Sequence, residues 1–366
     1  MKKIILIFSL LLLVFACSKS EDVQLDKNYD KTALLTNWAD NIIVPSFVNY
    51  QSKVNDLVAS SNAFTTTPTQ ANLDILRNSW VETYKAFQYV AIFNFGKAEE
   101  ISLNEKTNTY PTDILGINTN IISRNYDFNN LSQNTKQGLP ALDYLINGLS
   151  STNLEIVGFY MTNSNATNYK KYLNELVTKM KSNADAIVSD WNISYRNQFI
   201  ANTGSTVTGS VNITSNSFVK NLEKDIRTSK IGFPAGIFSG GLLKPQNIEA
   251  LYKNDISKIL LNESLKASQD FFNGKKFDGT ATGSSLKSYL DFVKNNQQLS
   301  DLINAQYTKI FAANNFLNNN FSTQITSDNS NMISAYDVLQ QNVVYTKLDM
   351  MQALSIKIGY SDNDGD

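Results

Sequence analysis

The sequence predicts an all-α protein, and three observations carry that expectation. Apolar residues recur at steps of three and four along most of the chain, the signature of helices with one buried face. No run alternates apolar and polar residues as a half-buried strand would. Glycine and proline number only 16 and 6 in 366 residues, few enough to leave long helical segments. At this length two units are expected rather than one core.

The elements follow in order. Trp38, Ile42, Tyr50, Val54 and Leu57 mark a first helix, with Pro45 expected to kink it. Thr67-Pro68 reads as an N-cap followed by a first-turn proline. Leu73, Leu76, Trp80, Tyr84, Phe87 and Val90 then give a second apolar face, ending at Asn94-Phe95-Gly96. Residues 97–135, rich in asparagine and carrying Tyr110-Pro111 and Gly116, read as a long excursion between helices. Residues 137–146, QGLPALDYLI, open a helix with Pro140 in its first turn and Asp143 as the only carboxylate. Tyr169, Leu173, Leu176, Met180, Ala184, Ile187 and Trp191 mark a long amphipathic helix; Trp80 and Trp191 read as core. Residues 201–217, ANTGSTVTGSVNITSNS, read as a linker or exposed loop. Further helices are expected over 248–272, 286–317 and 332–354. The boundary between two helical-bundle domains is placed at this linker, giving 31–205 and 206–366.

The N-terminus has its own logic. Lys2 and Lys3 precede an apolar run from Ile4 to Phe15, as in a secretory signal. The run is shorter than the roughly 20 residues a membrane-spanning helix needs. It ends in Val14-Phe15-Ala16-Cys17, which resembles a lipobox. Residues 1–16 are therefore expected to be a lipoprotein signal peptide, Cys17 the lipidated residue, and 17–30 a polar tether. That places the protein in the cell envelope, at the outer membrane, facing the periplasm or the surface. Cys17 is the only cysteine, so packing alone stabilises the mature chain.

Composition excludes several functions. The 32 basic and 33 acidic residues nearly cancel, and no concentrated basic face suggests a nucleic-acid partner. There is no histidine. Ser-His-Asp triads, Cys-His pairs and HExxH zinc sites are thereby ruled out. A resident metal would need oxygen ligands, which suits iron or another hard cation and makes zinc a poor fit.

Six segments in fixed order carry a family resemblance: NWADNIIVPSF (37–47), FNFGKAEE (93–100), NTYPTDILGINTNI (108–121), QGLPALDYLI (137–146), KIGFPAG (230–236) and 244–274. Together they resemble the imelysin family, bacterial envelope proteins associated with iron uptake. The resemblance implies two helical domains with a ligand site in the cleft between them. It also implies a Gly-x-His-x-x-Glu metal-binding pattern, once read as evidence for a metallopeptidase. The matching positions are Gly138, Pro140 and Asp143: proline stands in place of the imidazole and aspartate in place of glutamate.

The candidate site residues are Tyr110, Asp113, Gly138, Pro140, Asp143, Arg227 and Lys230, with Asp113 and Asp143 as weak metal candidates. Each has a second reading. Asp143 either meets the positive end of its helix dipole or contacts a ligand. Asp113 either caps the next helix or lines the cleft. Arg227 and Lys230 either bring positive charge to the cleft or belong to a solvated helix end. The terminal SDNDGD is a faint calcium-loop fragment or an acidic tail. The expected function is binding of a small ligand, or of an iron-uptake receptor, in iron or haem acquisition. The alternatives are a peptidase with an all-carboxylate mechanism and a docking protein without a small ligand.

Overall fold

The computed structural model describes residues 28–279 and 281–360. The expected signal peptide, Cys17, most of the tether and the terminal acidic residues 361–366 lie outside the described residues. Within them helices follow one another from end to end, and the only β pairing is one isolated bridge between Lys275 and Thr282. The protein is all-α, as its apolar periodicity predicts.

The first long helix, α1 (Val44–Thr66), continues without a break from Lys31–Asn37 through a π-helical turn, Trp38–Ile43. Pro45 does not end it. Proline has no N–H to give the carbonyl four residues back, at Asn41, and a wide turn absorbs its ring. The Asn41 carbonyl instead accepts the Phe277 N–H at 2.7 Å, from a loop more than two hundred residues later. Helix α2 (Gln70–Val90) starts two residues after the expected place. Thr67 closes α1 through its N–H to the Ala63 carbonyl, and Thr69 is the N-cap, its Oγ1 accepting the Asn72 N–H. All six apolar positions predicted for this helix are at most 2% exposed. Helix α3 (Ala166–Asp190) lies with α2 against α1.

The stretch expected to be a linker is only partly loop. From Ser210 it forms the helix Ser210–Lys220, which continues as a long π-helical segment, Asn221–Gly232. Ser210, Thr214 and Ser215 are buried there beside Val211 and Phe218. Small hydroxyl residues read as solvent-loving by composition, yet their size also suits close helix packing.

Helix α4 (Ser257–Phe272) is shorter than the 248–272 prediction, because 248–256 forms turns. Asn295, at φ +53°, separates Leu286–Lys294 from α5 (Gln298–Asn314). Helix α6 (Asn329–Val343) packs on α5 and on the Asn221–Gly232 segment. Helix α4 packs against α2, and one continuous apolar core includes residues from Leu34 to Ile356. That α2–α4 contact positions the site.

Candidate functional site

On one side of the α2–α4 pair lies a cavity of about 260 Å³. Its polar wall is formed by Gln88 of α2, Glu105, Asn108 and Tyr110 of the excursion, and Asp225 and Lys230 of the π-helical segment. The short helix Leu103–Thr107 brings Asn108–Tyr110 to this wall. The wide turns of Asn221–Gly232 set Asp225 and Lys230 facing it, five residues apart.

A buried hydrogen-bond chain crosses behind the cavity. The Tyr84 hydroxyl donates to Asn108 Oδ1, and Asn108 Nδ2 donates to Glu249 Oε1 at 2.8 Å. Lys230 Nζ donates to Glu249 Oε2, and Gln88 Nε2 reaches Oε1 at 3.4 Å. Lys230 and Glu249 are 4% and 3% exposed, so their charges depend on each other. Burial, with the Glu249 charge second, holds the Tyr84 and Tyr110 phenols well above their ordinary pKa. Both stay protonated hydrogen-bond donors. Burial pushes Asp225 up to about 6, against the Asn221 amide at 2.9 Å and the Lys220 and Lys230 charges. Chemically the cavity offers neutral phenol and amides, a carboxylate that titrates near neutrality and an ammonium already paired. Such groups can donate and accept hydrogen bonds at the cavity wall.

Tyr110 and Lys230 are the two predicted residues that the fold brings together here. Arg227 is 2% exposed and turns elsewhere. It donates to Gln340, lies 3.7 Å from Glu223 and covers the Tyr336 ring at 5.4 Å. It is part of a buried charge cluster with Glu223 and Lys347, neither in the cleft nor at a solvated end. Asp113 is an N-cap: its Oδ1 accepts the Gly116 N–H at 2.8 Å.

The Gly138–Asp143 helix is buried throughout and does not line the cavity. Its role is mechanical. Gly138, at φ +78°, brings the helix start against the carbonyls of Lys106 and Thr107, behind the Asn108–Tyr110 wall. Asp143 lies beyond the first turn of a helix that runs on as the π-helical Tyr144–Gly148, so the dipole reading does not apply. Its carboxylate accepts the backbone N–H groups of Tyr252 at 2.8 Å and Lys253 at 2.9 Å, and the Asn147 amide at 3.0 Å. It thus ties the helix to the 248–256 turns that carry Glu249. Asp113 and Asp143 therefore hold separate partners. Among the described residues no three carboxylate, histidine or cysteine side chains gather as a metal centre would require.

Burial, outweighing these hydrogen bonds, pushes Asp143 up to about 7 from its ordinary 3.8. Folding therefore favours its protonated form, which gives stability that is complete below the ordinary value and lost as pH rises through 7. Asp225, raised to about 6, acts in the same sense. We expect Asp143→Asn to flatten the fall in unfolding free energy between pH 4.5 and 7.5 by on the order of 2 kcal/mol. Urea titrations across that range check this; parallel profiles for wild type and variant would refute it.

Sequence reasoning missed Glu105, Asn108, Asp225 and Glu249. The available signal was weak: Glu249 stands between Ile248 and Ala250, where a burying context demands a partner. Its partners come from residues 19 to 161 positions away.

The family model described as Imelysin matches residues 43–347. The chain belongs to the imelysin family. "Iron-regulated protein A" of Synechococcus elongatus is 22% identical over 267 residues, 69% of this chain and 68% of that protein. An imelysin-like protein from Psychrobacter arcticum 273-4 has a crystal structure that superposes with a TM-score of 0.70. It is 16% identical, and the match covers 90% of this chain and 97% of that one. The crystal structure of a candidate iron-regulated protein A precursor from Parabacteroides distasonis ATCC 8503 gives a TM-score of 0.69. It is also 16% identical, over 88% and 94% of the two chains. These structures share the imelysin fold.

Proposed function

We propose that this imelysin-family chain is a binding protein of the cell envelope, tethered through Cys17, that captures a small iron complex in the cavity beside α2. The observation that carries the reading is the cavity's make-up: protonated phenol, amides and a near-neutral carboxylate converge on one water-accessible volume. The family, and the name of the Synechococcus relative, support the link to iron.

The donor set argues for a complex over a bare ion. A hard cation takes about six oxygen ligands. Here only Glu105 and Asp225 bring carboxylates to the cavity, and Lys230 brings a positive charge. A ferric chelate supplies its own ligand oxygens and needs hydrogen-bond partners around them. Tyr110, Asn108 and Gln88 are of that kind. Hydrolysis has no comparable support, since the carboxylates of Asp113 and Asp143 are each engaged elsewhere.

Calorimetric titration with ferric citrate, a ferric hydroxamate, haem and Ca²⁺ separately tests the proposal. A saturable site for one of the three iron complexes is expected, weakened about tenfold (about 1.4 kcal/mol) by Tyr110→Phe or Asp225→Asn. Absence of heat from all three iron complexes would sink it, as would an unaltered affinity in both variants.

A further inference from the structure

The α2–α4 pair has a second side. There the same two helices, with α1 and the loop after α4, enclose another cavity, of about 310 Å³, and its character is different. Ile42, Ala86, Phe93, Ala267 and Phe271, all buried, form an apolar floor. Phe277, 38% exposed, stands edge-on to Tyr89 with ring centroids 6.4 Å apart.

Charge is distributed unequally around this floor. Lys53, Lys85, Lys266, Lys275 and Lys276 border it, against Glu82, Glu263 and Asp270. The three acids are all engaged. Glu82 pairs with Lys85 at 2.9 Å, and Asp270 pairs with Lys266 and, at 3.6 Å, with Lys275. Glu263 accepts the Tyr89 hydroxyl at 2.8 Å. Two lysines remain in excess. Lys53 has only Asp56, at 3.9 Å and outside the cavity, and Lys276 has no ion pair among the described residues.

We propose that this crevice is a second binding site, independent of the iron reading, for a small amphipathic carboxylate. Its chain would lie on the Ile42–Phe93–Phe271 floor and its head among the unmatched lysines. The cavity is of the size and mixed lining typical of small-molecule sites. An apolar chain leaves water on entering such a floor, while lysine stems cover its flanks and their ammonium groups stay at the rim. A local surplus of one sign in a cleft attracts the opposite charge. Inorganic anions have no use for the aromatic floor. A cationic amphiphile would meet a single carboxylate without an ion pair among the described residues, Glu263, already accepting the Tyr89 hydroxyl, inside a surrounding excess of lysine.

Calorimetry on the mature chain tests this with dodecanoate and dodecyltrimethylammonium, each below its micellar concentration, and with dodecan-1-ol below its solubility limit. One saturable site is expected for dodecanoate, with the alcohol and the ammonium at least about tenfold weaker. Lys53→Glu/Lys276→Glu should weaken dodecanoate at least about tenfold while leaving the unfolding midpoint unchanged. Tyr110→Phe, in the other cavity, should leave dodecanoate binding as it is. The proposal falls if no saturable site is found or the three head groups bind alike. It falls equally if the double variant binds normally, or if Tyr110→Phe abolishes binding and so places the ligand in the polar cavity.

Discussion

Glu249→Ala is expected to cost about 3–5 kcal/mol of folding stability, the typical result of removing one partner from a buried ion pair. The magnitude follows from what is left behind. Lys230 is 4% exposed and would lose the carboxylate it donates to, leaving only the more distant charge of Asp225. Asn108 and Gln88 would also lose the acceptor to which their amides are directed. Each unsatisfied buried donor costs about 1–3 kcal/mol, so water entering from the cavity would have to compensate several groups at once. Lys230→Met/Glu249→Leu should recover most of the loss, because apolar residues of similar volume need no partner. The Asn108 amide would still lack an acceptor, so full recovery is not expected. Urea unfolding followed by far-ultraviolet circular dichroism measures all three proteins. A Glu249→Ala midpoint within about 1 kcal/mol of wild type would show that the pair is solvated and that the halves of the site are not joined through it.

Gly138→Ala is expected to be destabilising by about 3 kcal/mol or more, through two additive causes. A left-handed backbone at φ +78° costs a residue with a Cβ about 1–2 kcal/mol. The new methyl would also lie 2.3 Å from the Thr107 carbonyl oxygen and 2.5 Å from that of Lys106, both backbone atoms that cannot rotate away. Overpacking of that kind adds about 1–3 kcal/mol. Gly240→Ala separates the causes: φ there is +61°, but an added Cβ meets nothing within 4 Å. Its cost should be only the backbone part, about 1–2 kcal/mol. Equal losses in the two variants would mean that the contact with the Lys106–Thr107 backbone contributes nothing. Because Asn108 and Tyr110 follow directly, Gly138→Ala should also weaken ligand binding at the polar cavity, whereas Gly240→Ala should not.

Much of the architecture could be read from periodicity. The apolar faces of α2 and α3 were legible residue by residue, since a helix repeats every 3.6 positions and burial needs one consistent face. Caps were legible only approximately. Thr67 and Thr69 are equally good N-cap residues, and Thr67 serves instead to close α1. The helical part of 201–217 was missed because polarity was counted and size was not. Small hydroxyl side chains at Ser210, Thr214 and Ser215 pack where a larger residue would not fit.

The site divides in the same way. From sequence, Tyr110 and Lys230 could be nominated as polar residues in conformationally special segments. That they share a cavity, and that Arg227 faces a different cluster, depends on the wider turn of a π-helical segment. A helix of ordinary pitch would have been assumed there. Glu249 was invisible as a site residue because its meaning lies in the partners of its carboxylate, which stand 19, 141 and 161 positions away along the chain.

The sequence by itself determined the helical class and the exclusion of histidine- and thiol-based catalysis outside Cys17. These follow from composition and local spacing, which need no fold to be evaluated. Only the tertiary structure decided what Asp143 does and where the polar cavity lies. A carboxylate's role is set by the donors that reach it and by its exclusion from water, and for Asp143 two of those donors are backbone groups 109 and 110 residues away.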